Sequence, residues 1–302
     1  MKELLKMIKS KIEASNDPFR EYEGDLIENE FDNSQIFITG VGRSGTHFLA
    51  KLFGLHSDIN AFHLDEVGNS VADSFLMYCK WYGLQVDNKG FLSSRNYLIK
   101  KSEKVKRHYL ESNPYLALSI DDLSHYYEKS KIIISIRDPR KVVLSHYNKG
   151  WYKEYYPNFD TKFKAPGYQY NIKQSNHFFG RIMPNEKHEL EKWLKLTQVG
   201  KITWMWVSIN NHIYNSLKSI DESKYMVIDI NEFDYVKYQK LADFIGLKDI
   251  INDSTFNELR NSKVGKTKKK KYLGWDEKEE EEFNDILKDF SYNDLIELNK
   301  YL

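Results

Sequence analysis

Short apolar runs alternate along this chain with longer segments in which apolar residues recur at helical spacing. The clearest run, Lys131 to Ile136, is rich in isoleucine, as in a central parallel strand that is buried on both faces. Further strands are predicted at Gln35 to Thr39, Ile59 to Phe62 and Tyr225 to Ile230. Helices are predicted over about residues 46–56, 70–82, 94–110, 139–146, 187–198, 201–219 and 235–245. Strands that alternate with helices predict an α/β protein of three layers, with a central parallel sheet between helices.

The remaining segments predict how a single domain over residues 1–302 is organised. Apolar residues at helical spacing in residues 1–14 predict a helical N-terminal arm within about residues 1–30. Residues 152–186 carry aromatic, proline and glycine residues without periodicity, which indicates either disorder or a functional lid. A basic loop at 263–271 precedes an acidic C-terminal helix that begins near residue 275.

Composition narrows the possible functions. The 45 lysines and arginines nearly balance 44 aspartates and glutamates, so the formal charge is +1. A basic nucleic-acid-binding face is therefore not expected, and any anion site must be local. Cys79 is the only cysteine, which excludes disulfide scaffolds and cysteine-based zinc sites. With neither a signal peptide nor a membrane-length apolar run, a cytoplasmic protein is expected.

A glycine-rich loop, Gly40 to His47, joins the first predicted strand to the first helix. Such a loop turns its backbone N–H groups toward one point at a positive helix end, which makes an anion site. Its glycine spacing is that of a P-loop, but Thr46 and His47 replace the lysine and the magnesium-binding hydroxyl residue. A cation lies inside the loop instead, as Arg43. The candidate anion ligands are Gly42, Arg43, Ser44, Gly45, Thr46 and His47.

A second candidate anion site follows the strand at 131–136. Arg137 stands at its carboxyl end, where open α/β sheets bind ligands, and Ser145 follows eight residues later in a helix opened by Pro139. The guanidinium group of an arginine can donate two hydrogen bonds to one phosphate, and the hydroxyl group of a serine can donate one. Taken alone, either residue is more typical of a solvated group at the end of an element.

Together, the Arg-Ser-Gly-Thr loop and the Arg-Asp-Pro segment with its later serine resemble the two phosphate motifs of the PAPS-dependent sulfotransferases (PAPS is 3′-phosphoadenosine 5′-phosphosulfate). The resemblance is to the bacterial and carbohydrate-type branch. It implies a P-loop NTPase-like sulfotransferase fold, a loop that holds the 5′-phosphosulfate, and a 3′-phosphate bound by Arg137 and Ser145. It also implies PAP as product and no metal.

A weaker resemblance concerns the basic loop. Gly265 and Lys266 are similar to the late glycine-plus-cation pair that closes over the nucleotide in this family. Lys263 and Lys268 are alternatives to Lys266. A plain solvated charge run is the other interpretation of this stretch.

The candidates for the general base directly follow the second predicted strand, in the segment Phe62-His63-Leu64-Asp65-Glu66. This segment resembles the Phe-x-Leu-x-Glu of carbohydrate-type and bacterial sulfotransferases, which implies Glu66 as the base. His63 is the second candidate and Asp65 the third, and a polar loop without catalytic role is the alternative.

The function predicted by the resemblance is sulfuryl transfer from PAPS to a hydroxyl or amine of a glycan, glycolipid or small metabolite. Residues 152–186 are expected to cover the acceptor. Two other functions stay open: a small-metabolite kinase that uses ATP and magnesium, and a nucleotide-binding module without catalysis. The missing P-loop lysine and hydroxyl residue disfavour the kinase.

Overall fold

The protein is built on a five-stranded sheet in which every neighbouring pair of strands is parallel. The computed structural model describes residues 31, 34–64, 70–85, 89–153, 180–262 and 274–297. The strand order is β2-β3-β1-β4-β5. The strands are β1 (Gln35–Thr39), β2 (Ile59–His63), β3 (His108–Ser112), β4 (Lys131–Ile136) and β5 (Tyr225–Asp229). The predicted α/β class with a central parallel sheet is confirmed.

Helices connect the strands and cover the sheet. They are α1 (Thr46–Phe53), α2 (Ser70–Trp81), α3 (Lys89–Lys104), α4 (Ile120–Tyr126), α5 (Pro139–Asn148), α6 (Lys187–Leu194), α7 (Gln198–Leu217), α8 (Tyr235–Phe244), α9 (Asp253–Asn261), α10 (Glu277–Leu287) and α11 (Tyr292–Glu297). Short 3₁₀ helices span Pro114–Leu118 and Glu222–Lys224. Most predicted boundaries lie within a few residues of these.

The strand β4 shows why both sheet faces are covered. Its Ile132, Ile134 and Ile136 pack into one hydrophobic cluster together with residues of α5, α7 and α10. Ile133, which points to the opposite face, packs with residues of α1, α8 and α9. Successive side chains of a strand point to opposite faces, so a strand that is covered on both sides is mostly apolar.

One predicted helix is partly wrong. The range 94–110 was expected to be helical throughout, but α3 ends at Lys104 and β3 begins at His108. The sequence pattern does not predict β3, because Glu111 interrupts its apolar residues although this side chain is fully buried in the sheet. A buried carboxylate is tolerated only when it is paired, and the partner comes from elsewhere in the chain.

That partner is Arg95 of α3, the centre of a buried polar cluster. Its Nε and Nη2 atoms donate to the two carboxylate oxygens of Glu111 at 2.8 and 2.7 Å, and Nη2 also donates to Asp73 Oδ2 at 3.0 Å. Asn113 Nδ2 donates to Asp73 and Glu111, while Asn113 Oδ1 accepts from the backbone N of Tyr115. The cluster therefore fixes the backbone at the carboxyl end of β3.

Several predicted segments lie outside the described residues: the N-terminal arm within 1–30, residues 154–179 of the predicted acceptor cover, and the basic loop 263–271. Among the described helices, none combines the length and the apolar character needed to cross a membrane.

Candidate active site

The glycine loop follows β1 and leads directly into α1, as predicted. Gly40 and Gly45 have φ angles of 150° and 100°, and Arg43 has a φ of 73°. A Cβ atom at Gly40 would lie 2.2 Å from the carbonyl oxygen of Ser135, and one at Gly45 would lie 2.6 Å from Ile230. These two glycines are required because the loop lies directly against β4 and the residues that follow β5.

A Gly40→Ala substitution should therefore destabilise the protein by about 2–5 kcal/mol, the sum of overpacking and left-handed strain. Gly246→Ala is the matched control, because Gly246 also has a positive φ (77°) but has no atom within 4 Å of an added Cβ. The control should lose only about 1–2 kcal/mol. Chemical denaturation of both variants measures the difference, and equal losses would show that the contact with Ser135 is unimportant.

Side chains of the surrounding elements hold the loop from behind through its carbonyl groups. Three bonds do this: Ser135 Oγ to Ser44 O at 2.6 Å, Ser112 Oγ to Thr46 O at 2.8 Å, and His146 Nε2 to Gly42 O at 2.9 Å. Carbonyl oxygens repel anions, so tying them away from the ligand side suits a loop that binds an anion with its N–H groups.

The two predicted phosphate motifs meet at Arg43. Its Nε donates to Ser145 Oγ at 2.8 Å, and its backbone oxygen accepts from Nη1 of Arg137 at 2.9 Å. Burial lowers the pKa of both guanidinium groups, and the charge of Arg43 lowers the pKa of Arg137 further. A bound anion would offset the desolvation of both guanidinium groups and the effect of the Arg43 charge on Arg137.

His146, next to Ser145 on α5, was not among the predicted site residues. It is fully buried, and its burial lowers its pKa to about 3, so the imidazole is neutral. Because Nε2 faces the carbonyl of Gly42 it carries the proton, and Nδ1 has no hydrogen-bond partner among the described residues. His146 thus positions the loop. Its place directly after Ser145 in the same helix was the signal that could have revealed it.

A cavity of about 240 Å³ opens in front of the loop. Seven predicted site residues line it, namely Gly42, Arg43, Gly45, Thr46, His47, His63 and Arg137. Ser145 reaches the site through its bond to Arg43, whereas Ser44 is buried behind the loop. No aspartate or glutamate stands among the described residues that line this cavity. The structure therefore brings the two motifs and one candidate base to a single, positively charged site.

His63, the second candidate base, lies at the carboxyl end of β2. Its ring stacks on that of His47, with centroids 5.0 Å apart and planes inclined by 6°. Its Nδ1 lies 2.7 Å from the carbonyl oxygen of Ser112, so Nδ1 is the donor and Nε2 carries the lone pair when the ring is neutral. Glu66 and Asp65 lie outside the described residues, as do Gly265, Lys266, Lys263 and Lys268.

The chain on either side of the basic loop is anchored near the two predicted phosphate motifs. Before the loop, Arg260 of α9 donates to the carbonyl oxygen of Asn231, just beyond β5, at 3.1 Å. After it, Glu280 of α10 accepts two 2.7 Å bonds from Arg140, near the start of α5. Bidentate arginine–carboxylate pairs fix orientation as well as position. Both anchors lie close to the carboxyl edge of the sheet, where Arg137 stands.

The opposite wall of the cavity, here called the acceptor wall, is mostly apolar and was not predicted. Its residues are Met77, Pro114, Tyr115, Trp151, Gly180, Met205 and Ile209. Trp151 and Gly180 border the segment whose residues 154–179 are not described. Tyr152 Oη donates to the carbonyl oxygen of Ile182 at 2.6 Å, which joins the two ends of that segment beside the cavity. These residues come from distant parts of the chain, so no local motif could have grouped them.

Comparison with known proteins identifies the family of this chain. The family model described as "Sulfotransferase domain" matches residues 33–295. Similar solved structures include a sulfotransferase domain from the curacin biosynthetic pathway (15% identity, 73% of this chain and 76% of that chain covered, TM-score 0.41). A sulfotransferase from Alicyclobacillus acidocaldarius is 12% identical, with 88% of this chain and 96% of that chain covered and a TM-score of 0.46. The sulfotransferase domain of the Synechococcus PCC 7002 olefin synthase is 12% identical, with 92% of this chain and 97% of that chain covered and a TM-score of 0.44. No curated protein matches the chain. On the extent of the family match, this chain belongs to the sulfotransferase domain family.

Proposed function

We propose that this sulfotransferase takes its sulfuryl group from PAPS and passes it to a hydroxyl or amine of the acceptor. The observation that carries this proposal is the meeting of the two phosphate motifs at Arg43 in one cavity. In the reaction, the acceptor oxygen or nitrogen forms a bond to sulfur while the bond from sulfur to the bridging oxygen breaks. PAP leaves with the electron pair, and the acceptor's proton passes to a base.

In this proposal the two motifs bind different parts of the donor. The loop Gly42–His47, with Arg43, would hold the 5′-phosphosulfate, and Arg137 with Ser145 would hold the 3′-phosphate. The fit is supported by two guanidinium groups whose pKa values are lowered by burial, and for Arg137 also by the charge of Arg43, because a polyanion relieves both effects. Gly265 and Lys266 are proposed to close over the nucleotide, on the strength of the anchored chain on either side of their loop.

Glu66 is proposed as the general base, with His63 as the alternative and Asp65 as the third candidate. Glu66 follows β2 by three residues, and β2 ends at the cavity with His63. His63 itself has the arrangement that a base needs. Its Nδ1–H is held by the carbonyl of Ser112, which leaves the lone pair on Nε2. A comparison of kcat in variants of Glu66, His63 and Asp65 distinguishes the three candidates.

The acceptor wall favours an acceptor with an apolar body. Methionine, isoleucine and aromatic side chains supply dispersion contacts and few hydrogen bonds, whereas a free glycan needs many polar partners. Among the acceptor classes considered, a small metabolite or a glycolipid suits this wall better than a free glycan. The kinase alternative gains no support, because Thr46 and His47 line the cavity where its lysine and hydroxyl residue would stand.

The donor assignment predicts that PAP stabilises the protein far more than ATP with magnesium does. At a concentration of one hundred times its dissociation constant, PAP should add about 2.7 kcal/mol to the free energy of unfolding. Thermal unfolding with each nucleotide measures this effect. A larger shift with ATP and magnesium than with PAP would overturn the proposed donor.

The matched control for the same experiment removes the 3′-phosphate site. Arg137→Ala and Ser145→Ala should each reduce the preference for PAP over 5′-AMP by about 5- to 150-fold, since one phosphate contact is lost. The Arg137→Ala effect should be the larger, because a charged donor is lost. Unchanged preference in both variants would mean that the second motif binds another part of the donor.

A further inference from the structure

One cation of the cavity, Lys149, has no part in either phosphate motif. It lies at the C-terminal end of α5, four residues after Ser145 and therefore on the same side of the helix. Its side chain lines the cavity at the rim, where it is exposed to solvent. Among the described residues, no carboxylate lies within ion-pair distance of its ammonium group and no hydrogen-bond acceptor contacts it. Lys149 is thus a lysine that faces the cavity without a protein counterion in the described part of the chain.

Lys149 lines the same cavity as the residues of the acceptor wall. Trp151 follows it by two residues and lines the same cavity, and the guanidinium carbon of Arg181 lies 4.8 Å from the centroid of the Trp151 ring. Burial is the main cause that lowers the pKa of His146, and the charges of Arg43, Lys149 and Arg181 lower it further. Partial burial and the charge of Arg43 lower the pKa of Lys149 in the same way. The acceptor side of the site therefore has a positive potential although its wall is apolar.

We propose that the acceptor carries an anionic group, a carboxylate, phosphate or sulfate, which Lys149 binds at the rim of the cavity. This inference rests on the proposed function and specifies its acceptor. The donor brings two phosphates and a sulfuryl group into the same small cavity, so an anionic acceptor meets strong repulsion there. A lysine at the rim offsets that repulsion, and its flexible stem lets one ammonium follow anions of different shape. Arg181, stacked on Trp151, adds to the same potential.

Inorganic sulfate, the smallest anion of this class, is the probe. The full-length protein is first saturated with PAPS, which fills the phosphate and sulfuryl positions, so that only the acceptor side can take further sulfate. Thermal unfolding is then followed against sulfate at constant ionic strength. Lys149→Met should raise the half-saturating sulfate concentration by about tenfold, as expected for the loss of one charge-assisted contact. Lys153→Met is the control, because Lys153 is also exposed but does not line the cavity.

Each outcome decides the inference. Equal sulfate dependence in wild type, Lys149→Met and Lys153→Met would overturn it. A loss of PAPS affinity in Lys149→Met of more than about threefold would make Lys149 a donor ligand and would also overturn it. Failure of the proposed function would be seen separately, as a wild-type protein that PAP and PAPS do not stabilise.

A turnover measurement provides the second test. Two acceptors are compared that differ only in charge, 3-(4-hydroxyphenyl)propionate and its amide. Wild type should prefer the carboxylate in kcat/KM, and Lys149→Met should lose that preference through a higher KM for the carboxylate. A preference that survives in Lys149→Met would contradict the assignment.

Discussion

Glu66→Gln is expected to lower kcat by about 10²–10⁴-fold, the usual contribution of a general base, with PAP affinity almost unchanged. Glutamine keeps the shape of glutamate but cannot accept the acceptor's proton. Steady-state kinetics with PAPS measures turnover, and titration with PAP measures affinity in the same preparation. The separation of the two readouts distinguishes loss of the base from damage to the donor site.

Two further variants serve as controls for this result. Asp65→Asn, one position away, should leave kcat within about threefold of wild type if Glu66 alone is the base. His63→Gln should have an intermediate effect, since it removes the ring that stacks on His47 and bonds to Ser112. If Glu66→Gln kept a near-normal kcat while His63→Gln lost most of its kcat, His63 would be the general base and Glu66 would not.

Arg43→Met is expected to reduce both kcat, by about 10²–10³-fold, and the affinity for the donor. Its guanidinium lies at the meeting point of the two motifs. In the proposed donor arrangement, this is where charge would develop on the bridging oxygen as the S–O bond breaks. A contact that exists in the ground state and strengthens in the transition state affects both constants.

Arg137→Met is the matched comparison for Arg43→Met. Both variants remove a partly buried guanidinium with a lowered pKa, but Arg137 is assigned to the 3′-phosphate, away from the bond that breaks. It should raise the KM for PAPS with little change in kcat. An equal fall in kcat for both variants would show that the loop arginine has no special role in the chemical step.

The sheet could be predicted from the sequence to the extent that its strands are apolar. β1 and β4 each have three consecutive apolar residues at their centre, Ile36–Ile38 and Ile132–Ile134, and both strands were located to the residue. β3 was missed because Glu111 and Ser112 interrupt its apolar pattern. Their burial is made possible by Arg95, Asp73 and Asn113, which come together only in the folded chain. Hydrophobic periodicity describes a strand's own residues and says nothing of partners that come from other elements.

The predicted parts of the site are local in sequence, whereas the unpredicted parts are assembled from several elements. The glycine loop and the Arg137–Ser145 segment are local motifs, and each lies on a strand-to-helix connection that the sequence indicates. The acceptor wall has no such motif, since Met77, Tyr115 and Met205 reach it from three different helices. Lys149 lies within reach of the second motif in sequence, but only the cavity shows which way its side chain faces.

The bond between Tyr152 and Ile182 holds together two points of the chain that are 30 residues apart in sequence. Both ends are fixed to each other and to the framework, the returning end also by Trp81 and Tyr82, which donate to the carbonyl oxygen of Met183. A change in the length of the intervening chain then alters mainly the entropy of loop closure, by only about 0.6 kcal/mol for each doubling. Insertions or deletions between these two anchors are therefore expected to leave the sheet and the glycine loop intact.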